Sequence, residues 1–410
     1  MFTLTKRVCC AAGIALVVWL VSDARAQTSA DNAAVVQELV RQNAQLREEL
    51  ETLKSRVSQL EGERAQAEGK ATPAETSSTP PAENTLPTSA DAHSPDLPGS
   101  QGVHFRAFAS AAFEASDQKG EKGSFRPASM SLLMTDALSD QWHALAEINF
   151  EANDKFETVV DVERLQLSFA ANENFNLTFG RFHSALSYFN TAFHHGRWLE
   201  TVTDRPLIVE FPDDGGLLPQ HKTGVAAAGL VPHSGAAGLH YFAEFGANPD
   251  FGNNANAVAA GLFVRPPALP GWQAGFSYQH SRRSLATLAH RVDENIYGAH
   301  LVFRNSQWEF MNEAFLLAHG VLGERAFHTP GFYSLVSREF GNWRPFFLYQ
   351  YVNAGDLDPI YSGINRVNGA SLGFRYDLGE HAAFKTEYFR VYHRHEDPAN
   401  KISLHVDWVF

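Results

Sequence analysis

"KISLHVDWVF", residues 401–410, is the stretch that decides how this chain folds. Its period is two: Ile402, Leu404, Val406, Trp408 and Phe410 fall on one face, Ser403, His405 and Asp407 on the other. Successive side chains of an extended chain point to opposite sides, so this is a strand with one apolar and one polar face. "NGASLGFRYDL", residues 368–378, repeats the pattern, with Ala370, Leu372, Phe374, Tyr376 and Leu378 set against Ser371, Arg375 and Asp377. "VHFRAFASAAF" (103–113) and "WQAGFSYQ" (272–279) do the same. About sixteen such segments follow residue 103, each of roughly ten residues, the length a tilted membrane strand needs.

In a soluble sandwich the apolar face is the core; in a membrane barrel it meets lipid and the other face lines a wet lumen. Three features favour the barrel. The connections alternate: short ones at 138–141, 171–174, 232–235, 266–271, 304–307, 340–343 and 377–380, and longer ones near 117–124, 151–158, 184–221, 247–256, 282–291, 318–329, 354–366 and 393–400. Short turns at one rim and long loops at the other are the up-and-down membrane pattern. Trp142, Trp272, Trp308 and Trp343 each follow a short turn, and Trp408 lies near the chain end, which an even strand count puts at the same rim. Amphipathic rings gather at membrane interfaces, so these read as an aromatic girdle. The chain also ends on Phe410 within an alternating aromatic strand. That ending resembles the C-terminal signature that the barrel-assembly machinery reads in bacterial outer-membrane proteins. Trp408 and Phe410 are then the assembly signal.

The expected fold is therefore all-β: an antiparallel transmembrane barrel of about sixteen strands over 103–410. The segments before it are expected to differ. Lys6, Arg7, the apolar "VCCAAGIALVVWLV" and the small residues Ala24 and Ala26 read as a secretory signal peptide over 1–26. Cys9 and Cys10 leave with it, so the mature chain has no thiol and no Cys-ligated metal. Residues 27–65 carry heptads, with Val36, Asn43, Leu50 and Val57 at a and Leu39, Leu46, Leu53 and Leu60 at d. Glu49 faces Lys54 and Arg56 faces Glu61 at g and e, which predicts an oligomerising coiled coil. The bland alternative is one amphipathic helix lying on another domain. Residues 66–102, rich in Pro, Ala, Ser and Thr, form a linker that reaches on the order of 100 Å when extended at about 3.1 Å per residue.

"TFGRFHSALSYFN", residues 178–190, is similar to the stretch that enters the third loop in the phosphate-selective porin superfamily. A coiled coil before a porin barrel resembles some sugar and dicarboxylate porins. The resemblance implies a sixteen-stranded outer-membrane porin, a homotrimer in outer-membrane lipid with the coil in the periplasm. It also implies that the third long loop, 184–221, folds into the barrel and narrows the pore. The coil alone pulls toward a dimer through Asn43 at a and Leu at every d.

The strand pattern turns Arg106, Arg344, Arg375 and Lys385 inward, against Glu114, Glu147, Glu244, Glu309, Glu313, Asp377, Glu387 and Asp407. This wall leans acidic, which favours cations or neutral solutes; the alternative is that opposite charges pair and leave no selectivity. In the loop, His194, His195, Arg197, Glu200, Asp204, Arg205, Glu210, Asp213, Asp214 and His221 are the candidate constriction, with Pro206, Pro212 and the DDGG run as turns. Phe193, Trp198 and Leu199 would pack on the wall.

Other function classes fit the sequence less closely. The loop histidines, or His393 with His395, suit a divalent-metal uptake channel, but His194 and His195 are adjacent and point apart. No G-x-S-x-G or H-E-x-x-H occurs, so no catalytic residue is assigned, and neither a cofactor nor a resident metal is expected. An envelope tether and an outer-membrane enzyme are the remaining alternatives. Net charge is −13, which argues against nucleic acid as a partner.

Overall fold

The computed structural model describes residues 102–118, 123–152, 157–193, 196–212, 215–251, 253–284, 291–321, 325–394 and 396–410. The stretches read as signal peptide, coiled coil and linker lie outside these residues, apart from Gly102, as do His194, His195, Asp213, Asp214 and His395.

Sixteen long antiparallel strands make one sheet: β1 His104–Ser116, β2 Ser129–Ala137, β3 Trp142–Ala152, β4 Thr158–Asn172, β5 Phe175–His183, β6 His221–Leu230, β7 Leu239–Asn248, β8 Asn253–Val264, β9 Trp272–Arg283, β10 Val292–Arg304, β11 Trp308–Val321, β12 Phe327–Arg338, β13 Trp343–Asn353, β14 Arg366–Asp377, β15 Ala382–His393 and β16 Ala399–Val409. A two-residue strand, Ser124–Phe125, extends the β2 side of β1. Each long strand pairs with its neighbours in sequence. The last pairs with the first, from Phe108 opposite Val409 to Ser116 opposite Lys401, so the sheet closes and leaves no edge. Phe410 exchanges backbone hydrogen bonds with Ala107 at 2.8 and 3.0 Å, at the rim where the odd strands begin.

The two faces follow the expected period. Ser403, His405 and Asp407 are buried inside, while Ile402 and Val406 face out. Leu165, Phe245, Leu262, Phe276, Tyr297 and Leu372 are also exposed, and carry this apolar outer surface around the barrel. Trp142, Trp272, Trp308 and Trp343 open β3, β9, β11 and β13 at one rim, and Trp142, Trp272 and Trp343 pack on Phe169, Phe303 and Tyr376 respectively. A belt at one height is what a lipid–water boundary selects.

The inner face departs from the expectation of a uniformly wet lumen. Along β10–β13 it carries Ile296, Val302, Met311, Phe315, Leu317, Leu335, Phe346, Leu348 and Val352, all buried in one cluster. Residues of the 184–220 segment complete that cluster: Leu186, Phe189, Phe193, Val202, Ile208, Val209, Leu217 and Leu218. Apolar groups inside a barrel need apolar cover, and this long loop supplies it.

Candidate functional site: a loop folded into the barrel

The loop begins as a short helix, α1 Tyr188–Phe193, followed by single 3-10 turns at Arg197–Leu199 and Leu207–Val209. Ser187 caps the helix, its Oγ accepting from Asn190 N at 3.3 Å. The carboxylate of Glu313, on the β11 wall, accepts from Ser187 Oγ (2.9 Å), Tyr188 N (2.7 Å), Phe189 N (2.9 Å) and Tyr333 Oη (2.9 Å). An anion at the first-turn amides satisfies donors that the helix leaves free.

The same device recurs along the loop. Glu244 on β7 accepts from Ser184 Oγ at 2.9 Å and Ala185 N at 2.6 Å, and pairs with Lys222 at 3.0 Å. Glu309 accepts from Thr201 Oγ1 at 2.6 Å, and Glu387 from Thr203 N and Oγ1 at 3.0 and 2.7 Å. Gln350 on β13 accepts from Leu207 N at 2.6 Å. Arg375 donates to the carbonyls of Trp198 and Glu200, and Lys385 to those of Arg197 and Val202. Lys401 on β16 pairs with Asp204 at 2.8 Å. Gly196 then lies so close to β1 that a Cβ there would sit 2.7 Å from Phe108 Cβ. Trp198 and Leu199 pack on Phe108, Leu133 and Leu145. The loop thus touches the wall from β7 around to β3, and the packing expected of Phe193, Trp198 and Leu199 is present.

This corrects the picture of the wall. All twelve charged wall residues sit on the inward parity, but most do not meet an open lumen. Glu244, Glu309, Glu313 and Glu387 are buried anchors beneath the loop. Asp407 pairs with Lys385 at 2.9 Å, Glu147 with Arg164 at 2.7 Å and Arg375 with Asp377 at 2.7 Å. Arg344 pairs with Glu339, and Glu114 with both Arg126 (2.6 Å) and Lys401 (3.1 Å). Arg106 follows the same parity two residues before Phe108. An inward carboxylate is equally useful to water or to a loop with free amides, and the strand pattern does not distinguish them.

The remaining space lies opposite the apolar cluster. A cavity of about 420 Å³ opens between β1–β4 and the loop, lined by Ser110, Asn149, Glu151, Arg197, Glu200 and Arg205 among others. It occupies the long-loop end of these strands. A smaller cavity of about 140 Å³, lined by Arg164, Phe182, Tyr188, Arg265, Gln273 and His300, lies toward the short-turn rim. Between them the register of β3 with β4 slips at Glu147, so that the consecutive residues Glu163 and Arg164 are both buried. Glu163 and Arg164 were not among the sequence candidates, nor were Arg126 and Glu151. The signal was present in "VERLQL", 162–167, where two adjacent charges interrupt the period of two.

Electrostatics within the loop are uneven. Burial raises the Glu200 carboxyl to about 7, although Arg205, Lys385 and Arg197 pull it back. Burial acts the same way on Asp204, but Lys401 and Arg197 outweigh it and hold that carboxyl below the usual range. His221 opens β6 with its Nδ1 2.8 Å from Asp250 and its Nε2 2.6 Å from Glu163. Among the described residues Glu114, Asp204 and His405 come near enough to share a metal ion. The Lys401 ammonium already bridges the two carboxylates there.

No protein-family model and no curated relative matches the chain. Solved structures do. An anion-selective porin from Comamonas acidovorans aligns at a TM-score of 0.54 and 9% identity, over 75% of this chain and 99% of that one. The fold is that of the outer-membrane porins. The porin-like barrel also matches the outer membrane channel DcaP of Acinetobacter baumannii, at 0.54 and 11% identity over 77% and 100% of the two chains. The trimer form of OmpT, an outer membrane protein of Vibrio cholerae, aligns at 0.54 and 11% over 75% and 99%. At such identities the likeness concerns the fold.

Proposed function

We propose that the protein is a porin of the bacterial outer membrane that passes small hydrophilic solutes by diffusion, with residues 184–221 narrowing the passage. The observation that carries this reading is the loop held inside a closed barrel by wall carboxylates, with a cavity of mixed polar and apolar lining left beside it. The groups a solute meets there are of both signs: Arg126, Glu151, Arg197, Glu200 and Arg205. Ion preference is therefore set in the cavity, where charges act across a narrow space, and the acidic excess counted over the whole wall is largely spent on anchoring the loop.

The test is deletion of residues 196–214 and single-channel recording in planar bilayers. Conductance is expected to rise severalfold while heat-modifiable gel mobility reports an assembled barrel. Unchanged conductance would place the loop outside the conducting path. The apolar outer face and the Trp girdle support residence in lipid. Assembly by the barrel machinery through Trp408 and Phe410, and a homotrimer reinforced by the 27–65 coil, belong to the same proposal. Mass measurement in detergent checks the oligomer, and a monomer would overturn it.

A further inference from the structure

Among the described residues Arg205 is the one arginine whose three side-chain nitrogens are all buried and unbonded. It is 7% exposed, and its Nε and both Nη atoms are buried without a hydrogen-bond partner. Among the described residues no carboxylate comes within ion-pair distance of it, and it acts on Glu200 only through space, whereas Arg197 nearby pairs with Asp204 at 3.2 Å. Its guanidinium carbon lies 5.0 Å from the ring centroid of Phe189 and 4.5 Å from that of Phe211. Aromatic faces stabilise the cation but take no N–H bond, so the edge of the fork keeps its donors. That side chain lines the 420 Å³ cavity, together with Phe193, Phe211 and Phe108.

A buried guanidinium with unused donors is costly, and such groups persist where something completes them. The planar fork matches a carboxylate, which accepts two parallel N–H bonds. The surrounding rings suit an apolar or aromatic body next to that carboxylate. We infer that the cavity beside Arg205 is a binding site for small organic carboxylates, with the Arg205 edge as the anion-recognising group and Phe193 and Phe211 as the wall for the solute's apolar part. This deepens the channel reading, since a weak site within a passage selects among solutes without blocking them.

The probe is potassium benzoate, with potassium chloride at equal ionic strength as the reference. Equilibrium dialysis of labelled benzoate against the purified full chain in detergent is expected to show saturable binding. Arg205→Met keeps a stem between the two rings and removes the fork. It should weaken binding by about tenfold or more, and Arg205→Lys should fall in between because an ammonium cannot make the paired contact. Heat-modifiable mobility checks that each variant forms a barrel. Should Arg205→Met not assemble, the comparison of wild type with Arg205→Lys carries the test. In bilayers, benzoate should reduce the wild-type current at concentrations that leave Arg205→Met unaffected. Equal benzoate binding in wild type and variants, or none in the wild type, overturns the inference. Arg205-dependent binding by a protein that conducts no ions would leave the site standing and sink the channel reading. Conduction without Arg205-dependent binding would do the reverse.

Discussion

The two halves of the barrel interior are built differently. Along β10–β13 the inward side chains are large and apolar, from Ile296 and Val302 to Met311, Phe315, Leu335 and Leu348, with Glu309 and Glu313 set singly among them. Along β1–β4 the cavity side offers Ser110, Ala112, Ser131, Asn149, Glu151 and Glu163. The loop packs its apolar face on β10–β13, meets β1–β3 through Gly196, Trp198 and Leu199, and leaves space at the long-loop end of β1–β4. Hydrophobic cover determines which wall it covers, and the isolated carboxylates determine its register on that wall. Ile208 shows how closely the two surfaces fit: a Cβ on Gly331 of β12 would come within 2.7 Å of its Cδ1.

The strongest way to break this contrast is to spoil an anchor on the apolar half. Glu313→Lys removes the acceptor for Ser187, Tyr188 and Phe189 and puts an ammonium into the same buried place. Disrupting a buried, hydrogen-bonded charge of this kind costs about 3–5 kcal/mol, enough to undock α1. Single-channel conductance should rise toward that of the loop deletion. The milder Glu313→Gln keeps the shape and removes the charge, and the reversal potential in a salt gradient should stay where it was. A shift there would mean that Glu313 meets the permeating ions after all.

A smaller effect is expected from pH, and it belongs to the open half. The Glu200 carboxyl, raised from 4.5 to about 7 by burial, is neutral below that range and ionised above it. A raised carboxyl favours the folded loop while protonated. Its contribution is complete below 4.5 and is lost as pH climbs through about 7. Lowering pH from about 8 to about 6 therefore removes a negative charge from the cavity. Chloride permeability relative to potassium should increase over that interval, read as reversal potential, and Glu200→Gln should abolish the change. Persistence of the titration in that variant would assign it to another group. Asp204, held low by Lys401 and Arg197, stays ionised throughout.

The smallest effect is expected at Arg126, whose side chain is half exposed beside Glu114. Arg126→Ala should leave thermal unfolding almost unchanged, by less than about 0.5 kcal/mol, because exposed pairs contribute little. It should still shift ion preference slightly toward cations. A large loss of stability would show that the open half is packed more tightly than its cavity implies.

These experiments bear on what the sequence could and could not disclose. Alternation in "KISLHVDWVF" reports which side each residue faces, because the period of two is a backbone property. It identified the closed barrel, the turns, the Trp rim and the inward parity of Glu309, Glu313 and Asp407. Whether an inward residue meets water or protein depends on where another part of the chain folds back, which no local period encodes. Phe315 and Leu335 lie on the inward parity, and only the loop packed over them accounts for large apolar groups there. Glu163 escaped for a different reason: a bulge shifts parity, so a reading by alternate positions passes over it. Arg205 was visible among the loop charges, but its lack of a partner is a fact of packing.

One consequence of the seam between β1 and β16 concerns time rather than shape. Ser110 donates to Asp407 at 2.5 Å across a sequence separation of 297 residues. Bringing such distant segments together costs only about 2 kcal/mol more than closing a loop a tenth as long, so distance alone is a modest obstacle. The obstacle is order: until the final strand is present, β1 has no partner on one side and the sheet keeps two open edges. Unpaired backbone groups facing hydrocarbon cost several kcal/mol each. A chain lacking that strand would therefore be no slightly weaker barrel but an unclosed ribbon, and closure becomes a step that waits for β16.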